Sequence, residues 1–289
     1  MKNGLLSIGE FAKLRGINVK SLRYYESIGA LKPAYVSPES GYRYYSINQL
    51  SDLDVVLTLI ELGIPLKTIA QYTAGAEPEA SKNSLELIEQ GKKLAQQRIE
   101  RAQAQLLQLE DYVTETAAQN AHGQCDAPYT RSIDEKLVLC APLEGPFSMK
   151  SYATTTDSFY RFAPTLGLVP LFTQGILHDP ANILALAPAS SAGGGNPGTF
   201  VFMQARPLPN ANFIASAWEG ELSEAGISVA TLPAGPFTCQ KIKSNGFDEC
   251  FDAGMKFIRE STTLTVLAEA WTATLGLTEF VLEVQEYQN

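Results

Sequence analysis

The chain has 289 residues, of which 45% are hydrophobic and 18% are charged, and its formal net charge is −9. The length allows one large domain or two ordinary ones, and the apolar share supports a buried core, which excludes a disordered chain. The acidity argues against a protein that coats nucleic acid over its whole surface. The charge is unevenly distributed, however: residues 1–75 carry a net +2, residues 76–122 carry −3 and residues 123–289 carry −8. A small basic module inside an acidic chain remains possible.

Two short helices joined by a glycine turn are predicted at the N-terminus. Ser7 can cap the first helix with Glu10 as its capping-box partner, and Gly16 ends it. Asn18 can cap the second helix, in which the apolar residues recur at helical spacing. These apolar residues are Val19, Leu22, Tyr25 and Ile28. The pattern is typical of a helix-turn-helix, with Lys20, Arg23 and Tyr24 on the other faces of the second helix.

A wing and two further helices are predicted next. Residues 35–45 are β-prone at both ends around a Pro/Ser/Gly turn, which predicts a short hairpin. A third helix is expected from Asn48 or Ser51 through Leu62, with Gly63 as its stop, and a fourth helix from Leu66 to Tyr72. Residues 1–75 are therefore predicted to form a winged helix-turn-helix domain.

A long helix with a narrow apolar seam is predicted within residues 76–118, after a connector at 74–80. The seam residues step by three and four positions along the helix. They are Leu85, Ile88, Lys92, Ala95, Ile99, Ala102, Leu106, Leu109 and Val113. Because no second helix of matching length is predicted nearby, the same helix of a second subunit is the most economical partner, giving a homodimer. The alternative is a long helix lying on its own domain.

Residues 119–128 are predicted to be a linker, and residues 129–289 an α+β domain with a largely antiparallel sheet. Its β-prone runs alternate with two helical stretches, 151–166 and 247–259. The glycine-rich run 192–198 lacks the Lys-Ser/Thr pair and the helix start of a phosphate loop. It favours a surface connection over a nucleotide site.

The four cysteines, Cys125, Cys140, Cys239 and Cys250, are too few and too scattered for a disulfide framework and are expected to stay reduced. Cys125 and the nearby His122 leave a metal ion under-coordinated, so no metal and no cofactor are expected. The sequence shows neither a signal peptide nor a long apolar run, which predicts a cytoplasmic protein without a membrane partner.

Four short motifs follow one another in the first 75 residues: SIGEFA at 7–12, SLRYYE at 21–26, GYRYY at 41–45 and LGIPL at 62–66. In this order, ahead of a long seam helix, they resemble the N-terminal domain of MerR-family transcription regulators. The motif LPAGPF at 232–237 is similar to the GyrI-like effector domain of multidrug-sensing members. The resemblance implies a winged helix-turn-helix, a dimerisation coiled-coil helix and a GyrI-like ligand-binding domain.

The resemblance also implies a mechanism and DNA-binding residues. The second helix would enter the major groove while the wing grips the flanking backbone. The DNA-binding candidates are Ser7, Lys20, Arg23, Tyr24, Tyr42 and Arg43. Relatives often carry a basic residue three positions before the glycine that matches Gly63, where this chain has Ile60. In this family, the effector-bound dimer distorts a promoter with a long spacer so that the RNA polymerase holoenzyme can use it.

The predicted effector is a small, cationic, aromatic drug-like molecule or dye, because aromatic walls and a buried carboxylate favour flat cations. The candidate residues are Phe147, Tyr152, Tyr160, Trp218, Glu269 and Trp271. Glu269 is the preferred acidic group, since alternation along a strand places it on the same face as Trp271. In the multidrug-sensing relatives, the glutamate falls just after the aromatic residue of that strand, where this chain has Thr272.

Two alternatives to a transcription activator stay open. The C-terminal domain could hydrolyse or modify its ligand, since some GyrI-like domains are thought to be active, although the sequence shows no nucleophile constellation that would support this. The chain could instead sequester a toxic compound without controlling a promoter. The favoured prediction is a regulator, not an enzyme.

Overall fold

The computed structural model describes residues 4–73, 79–122, 127–143, 147–186, 198–209, 211, 225–269 and 280–288. They belong to two compact units, Met1–Arg101 and Ala102–Asn289. Several residues singled out from the sequence lie outside the described ranges. These are Cys125, the run 192–197, Trp218, Trp271 and Thr272.

The first unit combines helices with a small sheet. Its elements are β1 (Leu5–Ser7), α1 (Ile8–Leu14), α2 (Val19–Ile28), β2 (Tyr35–Val36), β3 (Arg43–Ser46), α3 (Gln49–Glu61), α4 (Leu66–Thr73) and the first part of α5 (Glu79–Ala121). The winged helix-turn-helix prediction is confirmed. Strand β1 was not predicted: its three residues pair antiparallel with β3, so the wing hairpin forms a three-stranded sheet in the order β1-β3-β2.

The predicted caps explain why the first two helices begin where they do. The Ser7 hydroxyl accepts a hydrogen bond from the Glu10 backbone N–H, and the Glu10 carboxylate accepts one from the Ser7 backbone N–H, which completes the capping box. Asn18 caps α2 by accepting from the Ser21 N–H at 2.8 Å. Gly29 ends α2 at φ +83°, a left-handed conformation that glycine adopts without steric cost.

The core of the first unit lies between α1, α2, α3, α4 and β3. Phe11 stacks on Tyr45 with ring centroids 4.6 Å apart, and both side chains are fully buried. In α3, Leu53, Val56 and Leu59 are buried. Leu50, Leu57 and Ile60 of the same helix are partly buried against this core.

Helix α5 confirms the predicted long helix and extends it at both ends. It begins at Glu79, inside the expected connector, and continues through Ala121, inside the expected linker. Leu87 is buried and Leu94 packs against the core of the first unit. The seam residues are exposed, as expected for a surface that a second chain would cover: Leu85, Ile88, Ile99, Leu106, Leu109 and Val113. Across the described ranges, no helix combines the length and the apolar character needed to cross a bilayer.

The second unit contains the end of α5 and an antiparallel sheet. Its further elements are β4 (Tyr129–Ile133), β5 (Lys136–Pro142), α6 (Met149–Phe162), a 3₁₀ turn (Ala163–Leu166), β6 (Leu168–His178), β7 (Thr199–Pro207), β8 (Ser228–Leu232), β9 (Gly235–Ser244), α7 (Phe247–Glu260), β10 (Thr265–Glu269) and β11 (Phe280–Tyr287). The described strands follow the order β4-β9-β11-β10-β6-β7-β5-β8, with every neighbouring pair antiparallel. The α+β prediction is therefore confirmed, whereas β4 and β6 were not predicted.

Side chains alternate between the two faces of this sheet. On one face, Ile176 and Leu267 pack with α6 and α7 around Phe159 and Phe251. The opposite face carries a second apolar cluster that includes Leu177. Here Thr173 and Gln204 contact Asp111 in the end of α5. The sheet of this unit is thus covered by α6 and α7 on one side and partly by α5 on the other.

The described cysteines are structural, as predicted. Cys140, Cys239 and Cys250 are free and buried. Burial raises the pKa of each thiol, to about 11 for Cys239, so these cysteines stay protonated at neutral pH.

Candidate functional site

The exposed face of α2 carries the predicted groove-reading residues. Leu22 and Tyr25 face the core, and the helical period therefore turns Lys20, Arg23 and Tyr24 to solvent. Tyr24 has about half of its side-chain surface free, at 51%. This face presents two cations and a phenol hydroxyl, which suit phosphates and base edges.

The wing presents a cluster of tyrosines. Tyr44 lies between Tyr42 and Tyr35, with ring centroids 5.6 Å and 6.0 Å away. Tyr45, one residue further along β3, points the other way into the core, and burial raises its pKa to about 12. Alternation along β3 therefore anchors the wing through Tyr45, while Tyr42, one residue before β3, is exposed.

Arg43 connects the wing to α2. Its Nε donates to Glu26 Oε2, and the pair is partly exposed. The carboxylate of Glu26 raises the pKa of Arg43. Arg43 was predicted as a phosphate contact, but its partner Glu26 was not anticipated, since a pairing of residues 17 positions apart depends on how the wing folds onto α2.

Ser7 is fully engaged in the cap of α1. Its hydroxyl accepts from the Glu10 N–H at 3.3 Å and donates to Glu10 Oε2 at 2.7 Å. The Glu10 carboxylate accepts hydrogen bonds from the hydroxyl and the backbone N–H of Ser7, and these bonds lower its pKa. The contact of Ser7 with a DNA phosphate stays a prediction.

In the second unit, Tyr152 and Glu269 are in direct contact. The Tyr152 hydroxyl donates to Glu269 Oε1 at 2.6 Å, and Gln174 Nε2 donates to the same oxygen at 3.2 Å. Burial raises the pKa of Glu269, against the opposing effect of these two bonds. Burial and the nearby carboxylate also raise the pKa values of Tyr152 and Tyr160. The site holds a carboxylate that has lost most of its water, which a cation would stabilise.

Aromatic rings cluster around Tyr152, the tyrosine that donates to this carboxylate. The Tyr152 ring lies 5.2 Å from Phe251 and 6.0 Å from Phe147, and Phe147 stacks on Phe251 at 4.9 Å. Phe247 stacks on Phe251 at 4.6 Å. Such rings bind flat apolar molecules and attract cations through their faces. Because three of the predicted effector-binding residues meet here, we name Tyr152, Gln174, Glu269 and this ring cluster the effector site; the binding of an effector to it is a proposal.

Sequence reasoning proposed four of the described members of this region and missed three. Phe147, Tyr152, Tyr160 and Glu269 were candidates, and Tyr160 lies close enough for the charge of Glu269 to affect its pKa. Gln174, Phe247 and Phe251 were missed. The i, i+4 spacing of Phe247 and Phe251 at the start of a predicted helix was a usable signal for two of them.

Comparison with known proteins identifies the N-terminal domain. Residues 6–76 match the family described as MerR HTH family regulatory protein. The chain is 48% identical over 67 residues to the multidrug-efflux transporter 1 regulator of Bacillus subtilis (strain 168), which is 23% of this chain and 24% of that protein. It is 40% identical over 65 residues to the transcriptional regulator BrlR of Pseudomonas aeruginosa, which is 22% of this chain and 24% of that protein. The chain thus spans about a quarter of the length of these relatives.

The chain was also matched to solved structures. The EcmrR–DNA complex, determined by cryo-electron microscopy, has 18% identity and a TM-score of 0.34, covering 97% of this chain and 98% of that one. SAV2435 bound to tetraphenylphosphonium has 10% identity and a TM-score of 0.31, covering 55% of this chain and 92% of that one. The family match over residues 6–76, together with the winged helix-turn-helix, shows that the N-terminal domain of this chain belongs to the MerR family of helix-turn-helix regulators.

Proposed function

We propose that this chain is a ligand-responsive transcription activator of the cytoplasm. A homodimer binds promoter DNA through residues 1–75, and a small cationic aromatic molecule binds in the C-terminal domain, residues 129–289. The bound dimer then distorts the promoter spacer for the RNA polymerase holoenzyme. Its N-terminal relatives are named multidrug-efflux transporter regulators, which supports a drug-like effector.

The DNA half of this proposal is supported by the charge and exposure of α2 and the wing. Of the three segments 1–75, 76–122 and 123–289, the first alone has a net positive charge, +2. Lys20 and Arg23 are exposed and available to a nucleic acid. Arg43 can exchange its carboxylate partner Glu26 for a phosphate, since both present planar pairs of oxygens to the guanidinium.

Arg43→Ala is expected to weaken promoter binding and to lower the slope of log affinity against log salt by about 0.9 per lost phosphate contact. Glu26→Gln is the matched variant. It releases Arg43 without removing it, so promoter affinity should stay level or rise. Electrophoretic mobility shifts across a salt series measure both quantities. An unchanged salt slope for Arg43→Ala would remove Arg43 from the DNA interface.

The homodimer is supported by the exposed seam of α5. Ile88 and Ala95 of this seam line an open apolar groove together with Val55 and Leu62 of the α3 region. Exposed apolar residues at regular spacing on a long helix are typical of a coiled-coil surface. A second copy of α5 would bury them.

The observation that carries the effector half is the Tyr152–Glu269 contact inside an aromatic cluster. A largely buried carboxylate with a raised pKa is costly to keep ionised without a cation, and such groups cluster at functional sites. Titration of the full-length protein with a cationic aromatic dye, followed by fluorescence, tests it. Saturable binding is expected, and an absence of binding across a panel of such dyes would contradict the effector assignment.

The ligand class follows in more detail from Gln174. Its Nε2 donates to Glu269, while its buried Oε1 has no hydrogen-bond partner in the described part of the chain. A buried oxygen that accepts no hydrogen bond destabilises the folded protein, and an N–H group of a ligand could donate the missing hydrogen bond. We therefore propose that the effector is a protonated amine and not a quaternary ammonium ion.

A matched pair of ligands tests this choice. A tertiary amine, protonated at neutral pH, is expected to bind about 10-fold or more tightly than its N-methylated quaternary analogue, which is the worth of about one hydrogen bond to a charged donor. Gln174→Leu should remove the difference. Equal affinity of the wild-type protein for the two ligands would contradict the amine assignment and leave the cation site intact.

A further inference from the structure

Strand β6 is irregular where it passes between the effector site and α5. Its pairing with β7 stops at Pro170 and resumes at Gln174, so three residues of β6 lie opposite the single residue Gln204. Extra residues in one strand interrupt the ladder of backbone hydrogen bonds and bend the strand. Between Pro170 and Gln174, side-chain contacts therefore fix the position of β6 more than backbone hydrogen bonds to β7 do.

On one face of the sheet, Asp111 of α5 binds to this irregular segment. Its Oδ2 accepts from the Thr173 hydroxyl and its Oδ1 accepts from Gln204 Nε2, each at 3.3 Å. Asp111 is only 4% exposed. A buried carboxylate with two side-chain donors fixes the position of α5 relative to both strands.

Two further contacts attach α5 to the same segment. Gln108 Nε2 donates to the Pro170 carbonyl at 2.9 Å. The Tyr112 ring packs edge-on against Phe172 with centroids 6.4 Å apart. Gln108, Asp111 and Tyr112 lie within four residues on α5, so one stretch of the helix contacts β6 from the start of the irregular segment to its end.

On the other face, the next residue of β6 belongs to the effector site. Gln174 follows Thr173 and donates to Glu269 of β10. Gly175 comes next, where a Cβ atom would lie 1.9 Å from the Leu267 carbonyl oxygen of β10. Glycine thus allows β6 and β10 to approach closely beside Gln174, and a movement of Glu269 would be passed to β6 at this point.

Building on the proposed function, we infer that residues 170–174 of β6 transmit effector binding to α5. Glu269 holds the segment through Gln174 on one face of the sheet, and Asp111 holds it through Thr173 on the opposite face. A ligand that competes with Gln174 for Glu269 changes the position of the segment. The neighbouring Thr173 passes this change to Asp111 on the opposite face. Because α5 contributes residues to both units of the chain, its displacement offers a route to the DNA-binding domain.

The test separates binding from response with the isosteric variant Thr173→Val in the full-length protein. Removing the hydroxyl breaks the link to Asp111 but touches neither the effector site nor the DNA surface. We expect the dye affinity and the promoter affinity without dye to stay within about 2-fold, while the dye-induced stimulation of transcription falls by about 5-fold or more. Thr173→Ser keeps the hydroxyl and should retain the response.

Thr199→Val is the matched control. Thr199 is a buried threonine of the neighbouring strand β7, and its hydroxyl bonds to His178 instead of α5. It should keep the full response despite a similar loss of stability. A full dye response in Thr173→Val, or an equal loss in Thr199→Val, would overturn the inference. A wild-type protein that binds no cationic dye would overturn the proposed function, and this inference with it.

Discussion

Glu269→Gln is expected to lower the affinity for a cationic effector by about 30-fold or more, corresponding to about 2 kcal/mol, the lower end for truncating one partner of a buried charge pair. The reason is electrostatic, because the glutamine keeps the shape and the oxygen that accepts from Tyr152 and Gln174, and loses only the charge. Fluorescence titration of the full-length protein measures the change.

The matched control is Glu260→Gln, which makes the same change in net charge at an exposed position near the end of α7. It should leave the affinity unchanged.

Glu269→Gln should affect stability and effector affinity with opposite signs. Burial raises the pKa of Glu269 in the folded state, so its ionised form destabilises the fold at neutral pH, and removing the charge should raise the melting temperature. Loss of both affinity and stability would indicate a structural role instead.

The same raised pKa gives the effector affinity a pH dependence. The cation needs the ionised form of Glu269, so affinity should fall as the pH is lowered through the raised pKa, for a ligand whose own charge is constant over that range. Tyr152 and Tyr160 stay neutral there because burial and Glu269 raise their pKa values. Glu269→Gln should give a flat profile, and a wild-type profile that is equally flat would contradict the role of Glu269.

Arg131→Met is expected to destabilise the second unit by about 3–5 kcal/mol, the usual cost of breaking a buried ion pair by removing one partner. Arg131 Nη2 lies 2.8 Å from Glu283 Oε1 and 3.5 Å from Glu115 Oε2. The side chain of Glu283 is 0% exposed. Without the guanidinium, this charge loses its closest cationic partner and keeps the hydrogen bonds from the neutral donors Tyr129 and Gln285.

Denaturant unfolding followed by tryptophan fluorescence measures this loss selectively, since both tryptophans, Trp218 and Trp271, belong to the second unit by sequence. The double variant Arg131→Met/Glu283→Gln should recover most of the stability, because the uncompensated charge is gone and Glu115 keeps Lys136. If Arg131→Met lowered the free energy of unfolding by less than about 1 kcal/mol, solvent would have to screen the Arg131 ion pairs as it screens an ion pair at the protein surface.

Local patterns predicted much of the fold because local physics decides those elements. The Ser7–Glu10 capping box, the Asn18 cap and the seam of α5 depend on residues three to seven positions apart. Strand β6 escaped prediction because Pro170 and Gly175 fall within it, and both residue types disfavour a regular strand. The irregular pairing at these residues gives them a place in the sheet that the sequence alone does not reveal.

The effector site was accessible from sequence only in part. Aromatic content and one acidic residue on a β-prone run pointed to Tyr152 and Glu269. Tyr152 and Glu269 are 117 positions apart in the sequence, and Gln174 and Glu269 are 95 positions apart. Their contacts could be predicted only from a known order of strands in the sheet. The Arg131 network was missed for the same reason, since it joins α5, β4 and β11.

In the proposed mechanism, a cationic ligand at Glu269 controls transcription through the DNA-bound dimer. In vitro transcription from a long-spacer promoter, with and without a cationic aromatic amine, compares the wild-type protein with Glu269→Gln most directly. The amine should stimulate transcription with the wild-type protein but not with the variant at the same concentration, while both bind the promoter equally. Equal stimulation of both proteins would contradict the claim.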